Sequence, residues 1–204
     1  MEKSGVHVLR SSMLYDKDIR EPLFDFLDDM YGINRIIEEK QMGRSRADVV
    51  MITPEAVYGI EIKSDADTYS RLKRQVRDYN LFYDYNYIVA GTSHAYHVQE
   101  HVPKWWGIIT VENENGSPDF YVLRKPDKNP KVKWKRKLGM LWRPELAHIQ
   151  EINNMPKYRQ KSKDFVIDKI IEKIPEEILQ FQFCEELMQR DYNEITKIIE
   201  AYKR

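Results

Sequence analysis

One stretch of about twenty residues restricts the fold of this chain more than any other. Two short runs rich in β-branched and aromatic residues, Val49-Val50-Met51-Ile52 and Ala56-Val57-Tyr58-Gly59-Ile60-Glu61-Ile62-Lys63, flank a turn at Thr53-Pro54-Glu55. They read as the two strands of a hairpin. Strand side chains alternate, so Glu61 and Lys63 share one face while Ile60 and Ile62 share the other. Asp48 opens the partner strand and can meet the same face as Glu61. Two acids and a lysine then converge on one side of a sheet whose opposite side is apolar.

A hard divalent cation gives such an array its chemistry. Two carboxylates with open positions suit Mg²⁺ or Mn²⁺, which take oxygen ligands; Mg²⁺ keeps waters that a phosphate can displace. Asp48 and Glu61 would supply the carboxylates, with the Ile62 carbonyl as a further oxygen. Crowded acids raise each other's pKa, and the metal and the Lys63 ammonium both offset that repulsion. Taken alone, Glu-Ile-Lys is also what a solvated strand edge looks like. The Asp48 strand before it and the helix after it, with Gln75 one turn ahead of Tyr79, favour the site.

This combination resembles the PD-(D/E)XK nuclease superfamily. Asp48 stands at its first acid, Glu61-Ile62-Lys63 at its acid-x-lysine, and Gln75-Val76-Arg77-Asp78-Tyr79 at the Gln-x-x-x-Tyr of the RecB-like branch. Ala47 replaces the proline of the superfamily name without touching the chemistry. Asp16-Lys17-Asp18-Ile19-Arg20, Val102-Pro103-Lys104-Trp105-Trp106-Gly107-Ile108 and Leu141-Trp142-Arg143-Pro144-Glu145-Leu146 look like a small bacterial family within it. The resemblance implies a restriction-endonuclease-like α/β core of helix, three-stranded central hairpin sheet, helix and further strands, followed by a helical extension. It implies catalysis by Asp48, Glu61, Lys63 and Gln75, with Glu39 and Tyr79 as further members. It favours Glu39 over Glu38 as an added acid; a solvated pair is the alternative. Asp65 and Asp67, in the turn after Lys63, are weaker candidates.

The rest of the chain supports a core of residues 1–124 and an extension of residues 125–204 packed on it. Leu23, Phe26, Leu27 and Met30 follow helical spacing, with Asp18 and Glu21 placed as a capping box and Gly32 as the stop. Arg20 reads as exposed or as a cap rather than as a phosphate ligand. Residues 33–41 read as the first strand, 68–82 as a helix and 87–90 as a buried strand. Asn113-Glu114-Asn115-Gly116 reads as a hairpin turn between residues 105–111 and the strand 120–123. Helices are expected over 138–152, 165–174 and 175–202. His94, His97 and His101 could share a helical face, but their ladder drifts and no cysteine accompanies it, which argues against zinc.

Charge limits the partners. The chain has 33 Lys and Arg against 33 Asp and Glu, so attraction to nucleic acid must come from a local patch. Lys131, Lys133, Trp134, Lys135, Arg136 and Lys137 form one, interleaving cations with an aromatic as backbone contact and base stacking require. A solvated linker would look the same. The single cysteine, Cys184, excludes an internal disulfide and suits a reducing compartment. With neither a signal-peptide core nor a membrane-length run, a cytoplasmic protein is expected. The expected function is a metal-dependent nuclease cutting phosphodiester bonds, with DNA as substrate. The alternative is a non-catalytic nucleic-acid-binding or protein-interaction module on the same fold.

Overall fold

The computed structural model describes residues 13–191. Helix α1 (Asp16–Tyr31) leads into a meander of β1 (Arg35–Met42), β2 (Ser45–Ile52) and β3 (Val57–Lys63). A single 3-10 turn (Tyr69–Arg71) opens α2 (Leu72–Phe82), which returns the chain to β4 (Tyr85–Gly91). Two short helices, α3 (Thr92–Ala95) and α4 (Val98–His101), precede the hairpin of β5 (Gly107–Glu114) and β6 (Ser117–Arg124). Helices α5 (Trp134–Leu138), α6 (Arg143–Ile152), α7 (Lys163–Lys173) and α8 (Glu176–Gln189) follow.

The six strands form one mixed sheet in sequence order. The β1–β2, β2–β3 and β5–β6 pairs are antiparallel, while β3–β4 and β4–β5 are parallel. Parallel neighbours need a crossover, and α2 supplies it between β3 and β4. The β5–β6 turn places Asn115 and Gly116 at positive φ, which a two-residue hairpin turn of type I′ requires.

Strand alternation sorts the core into two layers. Val49, Met51, Ile60, Ile62, Tyr87 and Val89 face one side and bury Ile19, Leu23 and Leu27 of α1. Val50, Ile52, Val57, Ile88 and Ala90 face the other, against α2 and the C-terminal helices. Those helices contribute Leu138, Leu146, Ile149, Val166, Ile170 and Phe183 to the same layer as Tyr79. Polar ties reinforce the contact: Arg35 donates to the Met188 carbonyl (2.8 Å), and Gln180 to the Glu55 carbonyl (3.0 Å).

Several boundaries differ from the sequence reading. Helix α1 starts at Asp16 rather than Asp18, because Asp18 turns back to accept the Tyr15 N–H at 3.0 Å. Pro22 therefore lies in the second turn. The helix expected over 138–152 is split at Gly139–Trp142: the Glu145 carboxylate caps the Trp142 N–H, and Pro144 sits in the new first turn. Helix α8 ends at Gln189, short of the expected end, with Arg190 and Asp191 outside it; residues 192–202 of the expected helix lie outside the described residues. The face carrying Glu61 and Lys63 is also not an open one. Both are buried beneath α2, at 0% and 4% exposure.

Gly59 explains how α2 comes so close. A Cβ there would lie 2.1 Å from Tyr83 Cδ2 and 2.6 Å from Tyr79 Cδ1. Tyr79 of α2 and Tyr83 just after it rest directly on the β3 backbone, which any side chain at this position would block. Gly59 and Glu61 have the same parity along β3, so the close approach also drops α2 over the glutamate.

Candidate active site

The β2–β3 ladder pairs Ile52 with Val57 and ends at Val49 opposite Ile60. Beyond that pair the strands part, and the candidate residues fill the opening. Asp48 accepts the Ile62 N–H on Oδ2 at 2.9 Å, replacing a ladder bond with a carboxylate contact. Tyr79 donates its hydroxyl to the Ile60 carbonyl (3.1 Å) and accepts the Asp48 N–H (3.2 Å). This fully buried tyrosine pins both strand ends from α2.

Glu61 is the centre of the polar contacts. Its Oε1 accepts from the Lys63 ammonium and from the Gln75 side-chain amide. Its Oε2 is buried with no hydrogen-bond partner, as is Gln75 Oε1. Leaving such an atom unpaired costs about 1–3 kcal/mol, more when it is charged, so both invite a cation or a donor. The electrostatics point the same way. Burial, then the nearby Glu61 charge, pushes Asp48 up to about 7, opposed by the Ile62 N–H and by Lys63. Burial raises Glu61 as well, with Lys63 opposing. Two carboxylates that resist ionising together, with a vacant oxygen on one, fit a divalent cation. The Ile62 carbonyl lies 3.4 Å from Lys63 Nζ, at the same strand end.

Arg20 belongs to this region, contrary to the exposed or capping role expected of it. From α1 it donates to the Asp48 carbonyl (3.2 Å), to Asp16 (2.6 Å) and to Glu39 (2.7 Å), with Asp48 Oδ1 at 4.0 Å. The Asp16-to-Arg20 spacing of one helical turn was its sequence signal. Glu39 sits at the rim of the site, exposed, at a φ of 54° and shared between Arg20 and Arg46. Asp65 and Asp67 are occupied elsewhere: Asp65 accepts from the Ser93 N–H (2.9 Å), and Asp67 from the Ser64 N–H (2.9 Å) and hydroxyl (2.6 Å). His94 and His101 pack on the Tyr69 ring, 4.7 and 4.1 Å away. Among the described residues no group of three or more His, Cys, Asp or Glu is arranged to hold a metal, so the candidate ligand set is two carboxylates and a carbonyl.

The basic segment is only partly exposed. Lys137 does not face solvent; it is 1% exposed, and its ammonium meets Asp84 and Gln180. It lies 4.5 Å from the Trp134 ring and 5.0 Å from the Phe183 ring. Trp134 is half-buried and packs edge-on against Phe183 of α8. Lys135 is paired with Asp168 at 2.8 Å, and Lys131 lies over the Trp105 ring. Lys133 and Arg136 remain exposed. The sequence gives each cation equal standing because the helical turn that buries every third or fourth residue is not visible in a run of lysines.

Residues 10–202 match the family model for bacteriophage P4 protein cII, and the chain belongs to that family. No curated protein and no solved structure matches it.

Proposed function

We propose that this member of the bacteriophage P4 protein cII family is a metal-dependent nuclease that hydrolyses phosphodiester bonds in DNA. The observation that carries the reading is the Glu61 carboxylate, buried, held on one oxygen by Lys63 and Gln75 and unpartnered on the other. The order helix, three antiparallel strands, helix, parallel strand around it is in keeping with the PD-(D/E)XK core that the sequence resembles.

Each residue has a distinct task. Asp48 and Glu61 would hold Mg²⁺ or Mn²⁺, with the Ile62 carbonyl beside them. A bound ion of this kind supplies an acidic water and stabilises charge on phosphate oxygens. Lys63 places a compact positive charge where the pentacoordinate phosphate becomes more anionic. Gln75 orients Glu61 and leaves its own Oε1 free to accept from a water. Tyr79 keeps the two strand ends in register, and Arg20 holds the Asp48 backbone from the opposite layer. No helix among the described residues is long and apolar enough to cross a membrane. A cytoplasmic location is part of the proposal.

Paired titration and turnover measurements separate the roles. Asp48→Ala and Glu61→Ala should lose Mg²⁺ affinity, by calorimetry, together with cleavage. Lys63→Ala should still take up Mg²⁺ yet cut DNA about 10²- to 10³-fold more slowly, and Lys63→Arg should not restore it. Full-speed cleavage by Lys63→Ala would reduce the lysine to a structural partner of Glu61. A wild type that binds nucleic acid without ever cutting it would favour the non-catalytic module.

A further inference from the structure

A cationic cleft lies along α2 from the candidate active site. The β1–β2 hairpin, the end of α2, and helices α5 and α7 enclose a cleft of about 800 Å³, lined by Lys40, Phe82, Lys133, Arg136, Met140 and Lys163 among others. Asp164 is the one acid among its described lining residues, against five cations when Lys135 is included. Lys135 is paired with Asp168, and Lys163 donates to the Gly139 carbonyl at 2.7 Å. Among the described residues, the side-chain nitrogens of Lys40, Lys133 and Arg136 make no hydrogen bond or ion pair.

Two further facts make this a concave site and not a solvated face. Lys40 is held below the usual lysine range by burial and by the neighbouring Arg190 and Lys163 charges. Lys163 is held down by burial too, with Glu145 opposing and Arg190 adding to the effect. Glu145 is already bound by Arg190 at 2.6 and 2.7 Å, so it does not neutralise the lysines fully. Like charges crowded in a recess make an anion favourable there. Position supplies the second fact. Gln75 touches Glu61 and Phe82 lines the cleft, seven residues further along α2 and thus about 10 Å away at 1.5 Å per residue. Between them α2 exposes Arg77, with Arg71, Lys73 and Arg74 exposed just before Gln75.

We infer that this cleft binds the phosphates of the nucleic-acid strand whose neighbouring phosphodiester is cut at the candidate active site. Two or three phosphates at 3.4 Å of rise per strand cover the 10 Å between them. The strand would run over Arg74 and Arg77 and place its backbone on Lys40, Lys133 and Arg136. Four chain segments far apart in sequence build the cleft, so it exists only when the C-terminal helices are docked on the sheet. This inference rests on the nuclease reading for its substrate, but its test does not depend on turnover.

The test is fluorescence anisotropy of the full chain with a fluorescein-labelled single-stranded DNA oligonucleotide, in EDTA, across roughly 50–200 mM salt. Each lost phosphate contact lowers the slope of log K against log salt by about 0.7 for a single strand. The triple variant Lys40→Ala, Lys133→Ala, Arg136→Ala should therefore lose about two units of slope. Lys133→Glu alone, exposed and with no packing role, should weaken binding even if the triple variant folds poorly. Lys173→Ala, on α7 outside the cleft, should leave the slope alone. An unchanged slope in the triple variant and in Lys133→Glu overturns the cleft while leaving Mg²⁺-dependent cleavage to be judged separately. An equal loss in Lys173→Ala also overturns it, by showing diffuse attraction. A reduced slope in a protein that never cuts DNA keeps the cleft and removes the nuclease reading.

Discussion

Replacing Lys137 should unfold this protein more readily and should not change how it meets nucleic acid. Lys137 is 1% exposed, and its ammonium is bonded to Asp84 and Gln180 and lies over the Trp134 and Phe183 rings. Burial pulls its pKa down, with the Asp84 carboxylate opposing. Lys137→Met keeps most of the stem's packing but leaves Asp84 in the interior without its cation. Breaking a buried pair in this way costs about 3–5 kcal/mol. Asp84 would keep the Val57 N–H at 2.9 Å and the Gln180 amide at 3.1 Å, which argues for the lower end, about 3 kcal/mol. For a chain of this size that is roughly a 6–12 °C drop in Tm. Urea denaturation gives the free energy directly, and the double variant Lys137→Met with Asp84→Asn should recover part of it because no unpaired charge remains. The salt slope for oligonucleotide binding should stay at the wild-type value. A loss below about 1 kcal/mol, joined to a slope reduced by a full contact, would refute the burial reasoning and return Lys137 to the nucleic-acid face.

Two other perturbations probe the frame around the site. Gly59→Ala forces a methyl into the rings of Tyr79 and Tyr83, and overpacking of this kind costs about 1–3 kcal/mol. Because Tyr79 holds the Ile60 carbonyl and the Asp48 N–H, cleavage should fall as well; wild-type stability and rate would show that α2 can slide aside. The second concerns pH in the EDTA-treated protein. Asp48 is pushed up to about 7 in the folded chain, so the folded state keeps its proton longer than the unfolded state does. Its contribution to stability is full below the ordinary carboxylate range and is lost as pH rises toward 7. Urea titrations from pH 4.5 to 7.5 should show wild type declining relative to Asp48→Asn, and the opposite trend would contradict the assigned environment.

What could be read in advance follows from the range of the forces involved. The parity of Ile60, Glu61, Ile62 and Lys63 is a property of the strand itself, so their division between two faces was legible. The hairpin turns were legible for the same local reason: Asn115-Gly116 supplies the positive φ values that its turn demands. The depth of the site was not. Glu61 is buried because α2 rests on Gly59, a contact between elements that no local pattern records. Arg20 was missed because its partners, Glu39 and the Asp48 carbonyl, come from strands that pack on α1 only in the fold. The lysine run misled in the opposite direction, since Lys137 turns inward to an acid 53 positions away. Lys40 and Lys163 carried no signal as isolated lysines, and only docking of the C-terminal helices sets them around one cleft.

The most direct measurement is the rate of cleavage of an end-labelled DNA oligonucleotide by wild type and by Glu61→Gln, each in Mg²⁺ and in EDTA. Wild type should cut in Mg²⁺ and stop in EDTA, and folded Glu61→Gln should fall by about two orders of magnitude or more, the scale of several kcal/mol of lost charge stabilisation. Cleavage that survives the chelator or the Glu61 substitution would contradict a metal site at Asp48 and Glu61. No cleavage of any DNA by wild type, in Mg²⁺ or Mn²⁺, would contradict the proposed activity itself.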